Sequence, residues 1–239
     1  MGRGADWDAV ADRLGPGVRV LAPDLAHHGA RAARGPGPTE ASGVTLEGEA
    51  DRLAAALDEP AAVAGYSMGG RLALTLAVRH PERVRALVLV SAQPGLRTAQ
   101  ARAARRAVDA RRAREITADY AAFLDRWYRA PLWGGLPDGL RQRLVRDRLA
   151  HNRPLALARS LDEMGTGAMV PLWDRLAGIR APSWAVAGGA DAKYVALARE
   201  MAREGPFRVR IVPGAGHALL AQAPGAVADV LREALAALA

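Results

Sequence analysis

The chain has 239 residues, a length at which one large α/β domain or two small domains are expected. It contains no cysteine, which excludes disulfides, thiolate nucleophiles and cysteine-ligated metals. Its formal net charge is +8 and its pI is near 10.9, but the basic residues are scattered along the chain, and all except Lys193 are arginines. We therefore expect no nucleic-acid partner, while an anionic small-molecule substrate is consistent with the charge.

The N-terminal residues lack the apolar segment of a signal peptide. No run approaches the roughly 20 apolar residues that a membrane span requires. We expect a cytoplasmic protein without a membrane partner, and nothing in the sequence indicates an oligomeric state.

The first 60 residues predict short elements. Asp6 or Asp8 can cap the first helix, which ends at a Gly-Pro-Gly break. The apolar run that follows it is typical of a buried strand, and the next segment is rich in glycine, proline and alanine. In chain order, we predict a helix at 9–14, a strand at 18–22, a loop at 27–43 and a helix at 45–57.

From residue 61 the chain alternates apolar runs with segments of helical periodicity, the pattern of a mostly parallel sheet flanked by helices. The predicted strands lie at 61–65, 84–90, 183–187 and 207–212, and the clearest helices at 68–79 and 226–238. Residues 97–180 contain only helical segments broken at proline and glycine. We predict an α/β-hydrolase fold, with residues 1–96 and 181–239 as the core and residues 97–180 as a helical lid insertion.

The motif Gly65-Tyr66-Ser67-Met68-Gly69 matches Gly-x-Ser-x-Gly between a predicted strand and a predicted helix. A bare match is weak, because glycine and serine are common in turns, but this context makes it specific. The sharp turn strains the Ser67 backbone, so we expect glycine to be required two residues before and two residues after it. The motif predicts that Ser67 is a nucleophile or base at the N-terminus of a helix.

A serine hydroxyl needs a histidine to take its proton and an acid to orient that histidine, in the chain order Ser, acid, His. Of the five histidines, only His217 follows a strand near the C-terminus; the others are His27, His28, His80 and His151. Asp191 follows the preceding strand and is the predicted acid. It could also cap a helix over residues 195–201; the two roles are compatible, and the chain order favours the catalytic one. Asp24 is a competing acid that we expect to be structural.

Several motifs together resemble those of the 2-succinyl-6-hydroxy-2,4-cyclohexadiene-1-carboxylate synthases, the menaquinone-pathway members of the α/β-hydrolase superfamily. They are Gly65-Tyr-Ser-Met-Gly-Gly-Arg-Leu-Ala-Leu74, His80-Pro-Glu-Arg-Val84 and Ser91-Ala-Gln-Pro-Gly-Leu96. The resemblance continues through residues 101–109 and 123–131 and through the Asp191 and His217 segments. It covers most of the chain from Asp6 onward.

The resemblance implies a lyase. Ser67, activated by its histidine, would remove a proton from 2-succinyl-5-enolpyruvyl-6-hydroxy-3-cyclohexene-1-carboxylate, and pyruvate would leave. The Met68 N–H would be an oxyanion donor. The route needs no cofactor, and the sequence shows no metal-ligand pattern.

The substrate of these enzymes carries several carboxylates, which arginine binds bidentately. The resemblance therefore implies substrate binding by Arg71, Arg105 and Arg148, with Trp127 as a wall of the site and Tyr66 facing the substrate. Other interpretations stay open. Arg71 could be a solvated residue of the first helical turn, the other two arginines could be surface residues, and Trp127 could belong to the core.

The chain departs from the family pattern at its start. Family members begin with strands that end in a His-Gly segment, which supplies one oxyanion N–H, whereas this chain begins where the residues after that segment are found. We therefore expect those strands and that donor to be missing. A second departure is Ala26-His27-His28-Gly29, where Pro-Gly is usual after Leu25.

Two other functions are compatible with these residues. The first is a serine carboxylic-ester hydrolase for a small substrate, which needs an acyl intermediate and a complete oxyanion site. The second is a non-catalytic hydrolase fold that only binds a carboxylate ligand.

Overall fold

The computed structural model describes residues 1–33 and 43–238. Within them the strands are β1 (Ala61–Tyr66), β2 (Val84–Val90), β3 (Ser183–Gly188) and β4 (Phe207–Val212). The α-helices are α1 (Asp8–Ala11), α2 (Gly29–Ala33), α3 (Leu46–Ala55), α4 (Met68–Arg79), α5 (Ala99–Ala118), α6 (Tyr120–Tyr128), α7 (Asp138–His151), α8 (Pro154–Met164), α9 (Ala192–Glu204), α10 (Leu219–Gln222) and α11 (Pro224–Ala236). Short 3-10 helices cover Gly4–Trp7, Pro81–Arg83, Pro131–Trp133 and Trp173–Gly178.

The chain divides into two compact units. The core unit comprises Trp7–Val20, Leu46–Gly95 and Pro171–Ala239. The helical unit comprises Met1–Asp6, Leu21–Thr45 and Leu96–Val170. Each unit is made of three segments that are distant in sequence. We had expected residues 1–6 and 21–45 to belong to the core, but they group with residues 96–170.

The core unit is built on a parallel sheet with the strand order β1-β2-β3-β4. Alternate residues of β2 (Ala86, Val88 and Val90) pack with Trp184 of β3 and the apolar side of α11. The four strand residues are at most 1% exposed, and the residues of α11 that face them are buried. The predicted α/β fold with a parallel sheet flanked by helices is confirmed, and each strand begins and ends within one residue of its predicted bounds.

The predicted strand at residues 18–22 is wrong: no strand is assigned there, and Val20 and Leu21 are 41% and 58% exposed. A strand forms only where a neighbouring strand accepts its backbone hydrogen bonds, and none of the described strands pairs with this run. The predicted loop at 27–43 contains the short helix α2, and its residues 34–42 lie outside the described part of the chain.

The N-terminal helix is also shorter than predicted, since α1 ends at Ala11. Asp6 does not cap it. One oxygen of the Asp6 carboxylate accepts the Arg3 N–H at 3.1 Å instead.

The helical unit gathers α5 to α8 around a core of Ile116, Phe123, Leu124, Leu157 and Met164. Two of its helices have side-chain caps of the expected kind: Thr98 accepts the Ala101 N–H at the start of α5, and Asp119 accepts the Ala122 N–H at the start of α6. No helix of residues 1–33 and 43–238 is long and apolar enough to cross a membrane.

Candidate active site

Ser67 sits at the turn between β1 and α4 and has a strained backbone, with φ 52° and ψ −107°. Positive φ is uncommon for a residue with a side chain, and such strain is concentrated at functional sites. The turn is held at the edge of the sheet because the Ser67 N–H donates to the Val90 carbonyl at 2.9 Å. Its conformation is therefore fixed by the sheet and not by the side chain of Ser67.

The glycines around Ser67 differ in how much space they have. A Cβ on Gly65 would lie 2.2 Å from the Gly69 carbonyl oxygen, and one on Gly70 would lie 2.4 Å from the Ala92 Cβ. A Cβ on Gly69 would meet nothing within 4 Å. The expectation for Gly65 agrees with this geometry, but the expectation that Gly69 is sterically required is wrong, because close packing falls on Gly70 instead.

Three side chains predicted to act together meet in the core unit. His217 Nε2 lies 3.1 Å from Ser67 Oγ, and His217 Nδ1 lies 2.8 Å from Asp191 Oδ2. Because a carboxylate can only accept, Nδ1 carries the ring proton, and Nε2 is then the acceptor for the Ser67 hydroxyl. His217 and Asp191 are 2% and 5% exposed, so the hydrogen bond between them is shielded from water, while Ser67 is half-buried.

Asp191 joins β3 to α9 and uses both of its oxygens. Oδ1 accepts the Tyr194 N–H at 3.3 Å and so caps α9, while Oδ2 contacts His217. The capping role and the role beside the histidine, which the sequence left open, are both present. The helix cap fixes the carboxylate, and the carboxylate in turn orients the imidazole.

The loop that carries His217 approaches the end of β3 closely. A Cβ on Gly188 would lie 2.2 Å from the Gly216 carbonyl oxygen and 2.3 Å from that of Ala215. The Gly216 N–H donates to Gln222 Oε1 at 2.9 Å, which ties the loop to α10. Gly188 is therefore required for the histidine loop to reach Asp191.

Two tyrosine rings contact the imidazole of His217. The ring centroid of Tyr66 lies 5.5 Å away and that of Tyr194 lies 4.7 Å away, both tilted by about 50° (46° and 51°). Tyr66 was predicted to be near the site, while Tyr194 was not. The signal that could have found it is its place three residues after Asp191, in the first turn of α9.

Two further predicted site residues lie in α4. Met68 is its first residue, and Arg71 follows in the first turn. Arg71 is only 7% exposed, so its interpretation as a solvated first-turn residue is wrong. A buried guanidinium four residues after Ser67 is suited to a charged ligand or to an internal partner.

The other three predicted ligand residues belong to the helical unit. Arg105 Nε donates to both oxygens of Asp109, at 2.9 and 3.0 Å. Trp127 is half-buried, stacks on Phe123 with centroids 5.9 Å apart, and is covered by the Arg112 guanidinium at 4.9 Å. Trp127 therefore takes part in the packing of this unit, as the alternative interpretation expected.

Arg148 is 5% exposed and held by carboxylates of its own unit. Its two terminal nitrogens lie 2.8 Å from the two oxygens of Asp6, one of them also contacts Asp147, and its Nε donates to the Tyr128 hydroxyl at 3.2 Å. Burial opposes the charge, but pairing with Tyr128 and Asp6 outweighs it, so the pKa of Arg148 is raised. Arg148 is thus not the surface residue of the alternative interpretation.

Asp24 and the remaining histidines have other partners. Asp24 accepts the Gly4 and Ala30 N–H groups, each at 2.7 Å, which is the structural role expected of it. His27 pairs with Glu163, His80 with Asp51, and His151 with the Asp147 carbonyl. His28 contacts the Ala26 carbonyl, and burial lowers its pKa to about 3. No group of three metal-ligating side chains occurs within the described residues.

Comparison with known proteins agrees with this geometry. Residues 2–230 match the model of the alpha/beta hydrolase family. A putative 2-succinyl-6-hydroxy-2,4-cyclohexadiene-1-carboxylate synthase of Bacillus subtilis (strain 168) is 39% identical over 176 residues, which are 72% of this chain and 64% of that protein. The structure of MenH from S. aureus superposes with a TM-score of 0.89 at 26% identity, covering 99% of this chain and 90% of that one.

A pimeloyl-[acyl-carrier protein] methyl ester esterase of Aromatoleum aromaticum is 43% identical over 88 residues, 37% of this chain and 32% of that protein. The chain spans less than two thirds of the length of these two curated relatives. The resemblance to the synthases is confirmed, and the relatives include both synthases and an esterase.

Proposed function

Because the chain belongs to the alpha/beta hydrolase family, we propose that it uses Ser67, His217 and Asp191 as a catalytic triad. The proposed reaction is the elimination of pyruvate from 2-succinyl-5-enolpyruvyl-6-hydroxy-3-cyclohexene-1-carboxylate. The product is 2-succinyl-6-hydroxy-2,4-cyclohexadiene-1-carboxylate, and the reaction would make the protein a carbon–oxygen lyase of menaquinone biosynthesis. The similarity to synthases supports the choice of substrate.

The observation that carries the proposal is the hydrogen-bonded series from Ser67 Oγ through the His217 ring to Asp191, with distances of 3.1 and 2.8 Å. His217 Nε2 takes the hydroxyl proton of Ser67, and the resulting alkoxide can remove a proton from carbon. Asp191 stabilises the imidazolium that forms. Met68 is the first residue of α4, and in this proposal its N–H favours negative charge at this end of the helix.

The double bonds of substrate and product define the electron movement. The proton leaves carbon 2, next to the carbonyl of the succinyl group, and its electron pair forms the bond between carbons 2 and 3. The original double bond moves to carbons 4 and 5, and the bond from carbon 5 to the enolpyruvyl oxygen breaks. Ser67 regains a proton from carbon 2, the imidazolium proton of His217 passes to the departing pyruvate enolate to give pyruvate, and no redox step is involved.

The substrate carboxylates require cations. We assign Arg71 and Arg105 to bind them, because each is an always-charged group that is at least partly buried. Arg148 would bind a substrate carboxylate only if its ion pair with Asp6 or with Asp147 were broken. Tyr66 and Trp127 complete the proposed substrate contacts, and the partner is a small polycarboxylate rather than a nucleic acid or membrane.

The second candidate is hydrolysis of a small carboxylic ester, supported by the 43% identity to a methyl ester esterase over 88 residues. The same three side chains would then attack a carbonyl carbon. Ser67 would carry an acyl group that water removes, and the oxyanion would need two donors. The two candidates therefore differ in whether Ser67 becomes covalently modified.

A paired assay tests the proposal. The protein is given the enolpyruvyl substrate while pyruvate is followed with lactate dehydrogenase, and a panel of short-chain nitrophenyl esters is assayed in parallel. We expect pyruvate release without a mass increase on Ser67 in the intact-protein mass spectrum. Fast ester turnover with an acylated Ser67, and no pyruvate, would select the esterase.

A further inference from the structure

We propose that Tyr194 is a positioning residue for His217, holding the imidazole in line with Ser67. The inference rests on the proposed use of His217 as the base, and it adds a residue that the motifs around Ser67, Asp191 and His217 did not indicate. The ring centroid of Tyr194 lies 4.7 Å from that of His217, closer than the centroid of Tyr66 at 5.5 Å. At these separations a tilted aromatic contact stabilises a ring in one orientation.

Tyr194 is itself fixed at three places. Its backbone N–H donates to Asp191 Oδ1 at 3.3 Å, and its hydroxyl lies 3.5 Å from Nε2 of Gln93, a buried residue just after β2. The ammonium group of Lys193 lies 5.4 Å from the ring centroid, within the range of a cation–π contact. The ring is therefore held mainly at the start of α9, since the hydroxyl contact is at the outer limit of hydrogen-bonding distance.

These contacts make Asp191 the common anchor of two rings. One oxygen binds the His217 Nδ1 and the other binds the backbone of Tyr194, so the carboxylate sets the distance between the imidazole and the phenol ring. The hydrogen bond to Asp191 limits in-plane movement of the imidazole. The hydrogen bond still allows the imidazole to tilt out of its plane, and such a tilt would carry Nε2 away from Ser67 Oγ. The Tyr194 ring packs against the imidazole and opposes this tilt.

The chemistry requires this restraint. Proton transfer depends on the 3.1 Å contact between His217 Nε2 and Ser67 Oγ, and small losses of alignment lower the rate without affecting ligand binding. Loss of the ring should therefore reduce the rate constant for any reaction of Ser67. Because the cap on α9 is donated by the backbone N–H of Tyr194 to the Asp191 carboxylate, substitution of the Tyr194 side chain leaves this hydrogen bond in place.

A fluorophosphonate tests this inference without the natural substrate. Ser67 Oγ forms a bond to phosphorus, the phosphorus–fluorine bond breaks, fluoride leaves, and the serine proton passes to His217 Nε2. We expect Tyr194→Leu to react about tenfold more slowly than the wild type, and Tyr194→Phe to react at close to the wild-type rate. With the natural substrate, the same loss should fall on kcat and leave KM unchanged.

Leu197→Ala is the matched control, since Leu197 is a half-buried residue on the same helix. It should keep the wild-type labelling rate. Circular dichroism and the unfolding temperature establish that each variant is folded, and Tyr194→Met replaces Tyr194→Leu if the latter does not fold. The downfield proton resonance of the His217 Nδ1–H should broaden in the leucine or methionine variant and stay sharp in the phenylalanine variant.

The inference is overturned if folded Tyr194→Leu or Tyr194→Met labels at the wild-type rate. It is equally overturned if Leu197→Ala or Tyr194→Phe is slowed as much as the leucine variant. A failure of the proposed function has a different signature. The wild type would then label normally, with the expected order among variants, but release no pyruvate.

Discussion

His217 Nε2 lies 3.1 Å from Ser67 Oγ although the two residues are 150 positions apart in the chain. Ser67 follows β1 and His217 follows β4, so the contact exists only because parallel strands end at the same edge of the sheet. The contact is part of a series of hydrogen bonds that ends at the buried Asp191. In the proposed function, His217 takes the proton of the Ser67 hydroxyl through this contact.

Asp191→Asn should lower kcat for pyruvate release by about 10²-fold to 10⁴-fold, because an amide can present its N–H to His217 Nδ1 and favour the wrong tautomer. The fold should be preserved, since the remaining side-chain oxygen can still accept the Tyr194 N–H. Steady-state kinetics and the unfolding temperature measure the two effects. A variant with wild-type kcat would show that Asp191 serves only as a helix cap.

Gly70→Ala should destabilise the core unit by roughly 1–3 kcal/mol, because its Cβ would lie 2.4 Å from the Ala92 Cβ and force a shift in a packed region. Gly69→Ala is the matched control, with no atom within 4 Å of the added Cβ. Its free energy of unfolding should stay equal to the wild type or rise by about 0.5–1 kcal/mol, since alanine favours the helix. Urea unfolding measures both, and equal destabilisation of the two variants would contradict the steric assignment.

His28 should make stability fall between pH 6.5 and pH 5. Burial lowers the pKa of this histidine from 6.5 to about 3, so the folded state keeps it neutral while the unfolded chain binds a proton as the pH drops below 6.5. Its contribution is fully present above pH 6.5 and is lost as the pH falls towards 3. The loss amounts to about 2 kcal/mol between pH 7.5 and pH 5.

Urea unfolding at pH 7.5 and pH 5 measures this dependence. His28→Gln should show a smaller fall than the wild type, although it is less stable at both pH values. His151→Gln is the control, because the side chain of His151 is 47% exposed, and it should keep the wild-type fall. Parallel behaviour of His28→Gln and the wild type would contradict the prediction.

Asp6→Asn should destabilise the protein by roughly 2–4 kcal/mol, because it leaves the buried Arg148 guanidinium without the carboxylate that meets both of its terminal nitrogens at 2.8 Å. Asp12→Asn, at an exposed position, should change the free energy of unfolding by less than about 0.5 kcal/mol. A double variant, Asp6→Asn with Arg148→Met, should recover part of the loss. If Asp6→Asn is as stable as Asp12→Asn, the pair does not stabilise the folded chain.

The sequence predicts a helix or strand well where a short run of residues is enough to determine it. The β2 strand is apolar except for Arg85 and was located to the residue, and so was α4, which follows the serine turn. The run at residues 18–22 carries the same local signal without forming a strand, because strand formation depends on a partner that a short window of sequence does not contain.

Local sequence also predicts only some of the contacts in the candidate active site. Chain order and spacing were enough to bring Ser67, Asp191 and His217 together as candidates. Arg148 illustrates what could not be foreseen, since its carboxylate partner Asp6 is 142 residues away in the chain. Tyr194 was missed because its contact with His217 follows from the direction in which α9 leaves Asp191.

The most direct test of the account is the rate of pyruvate release from the enolpyruvyl substrate by the wild type and by Ser67→Ala. Removing the hydroxyl leaves the His217–Asp191 pair intact and deletes only the group proposed to take the proton from carbon. We predict a fall in kcat of at least about 10³-fold, with a bound substrate still detectable by calorimetry. Pyruvate release by Ser67→Ala at the wild-type rate, or none by the wild type, would contradict the proposed reaction.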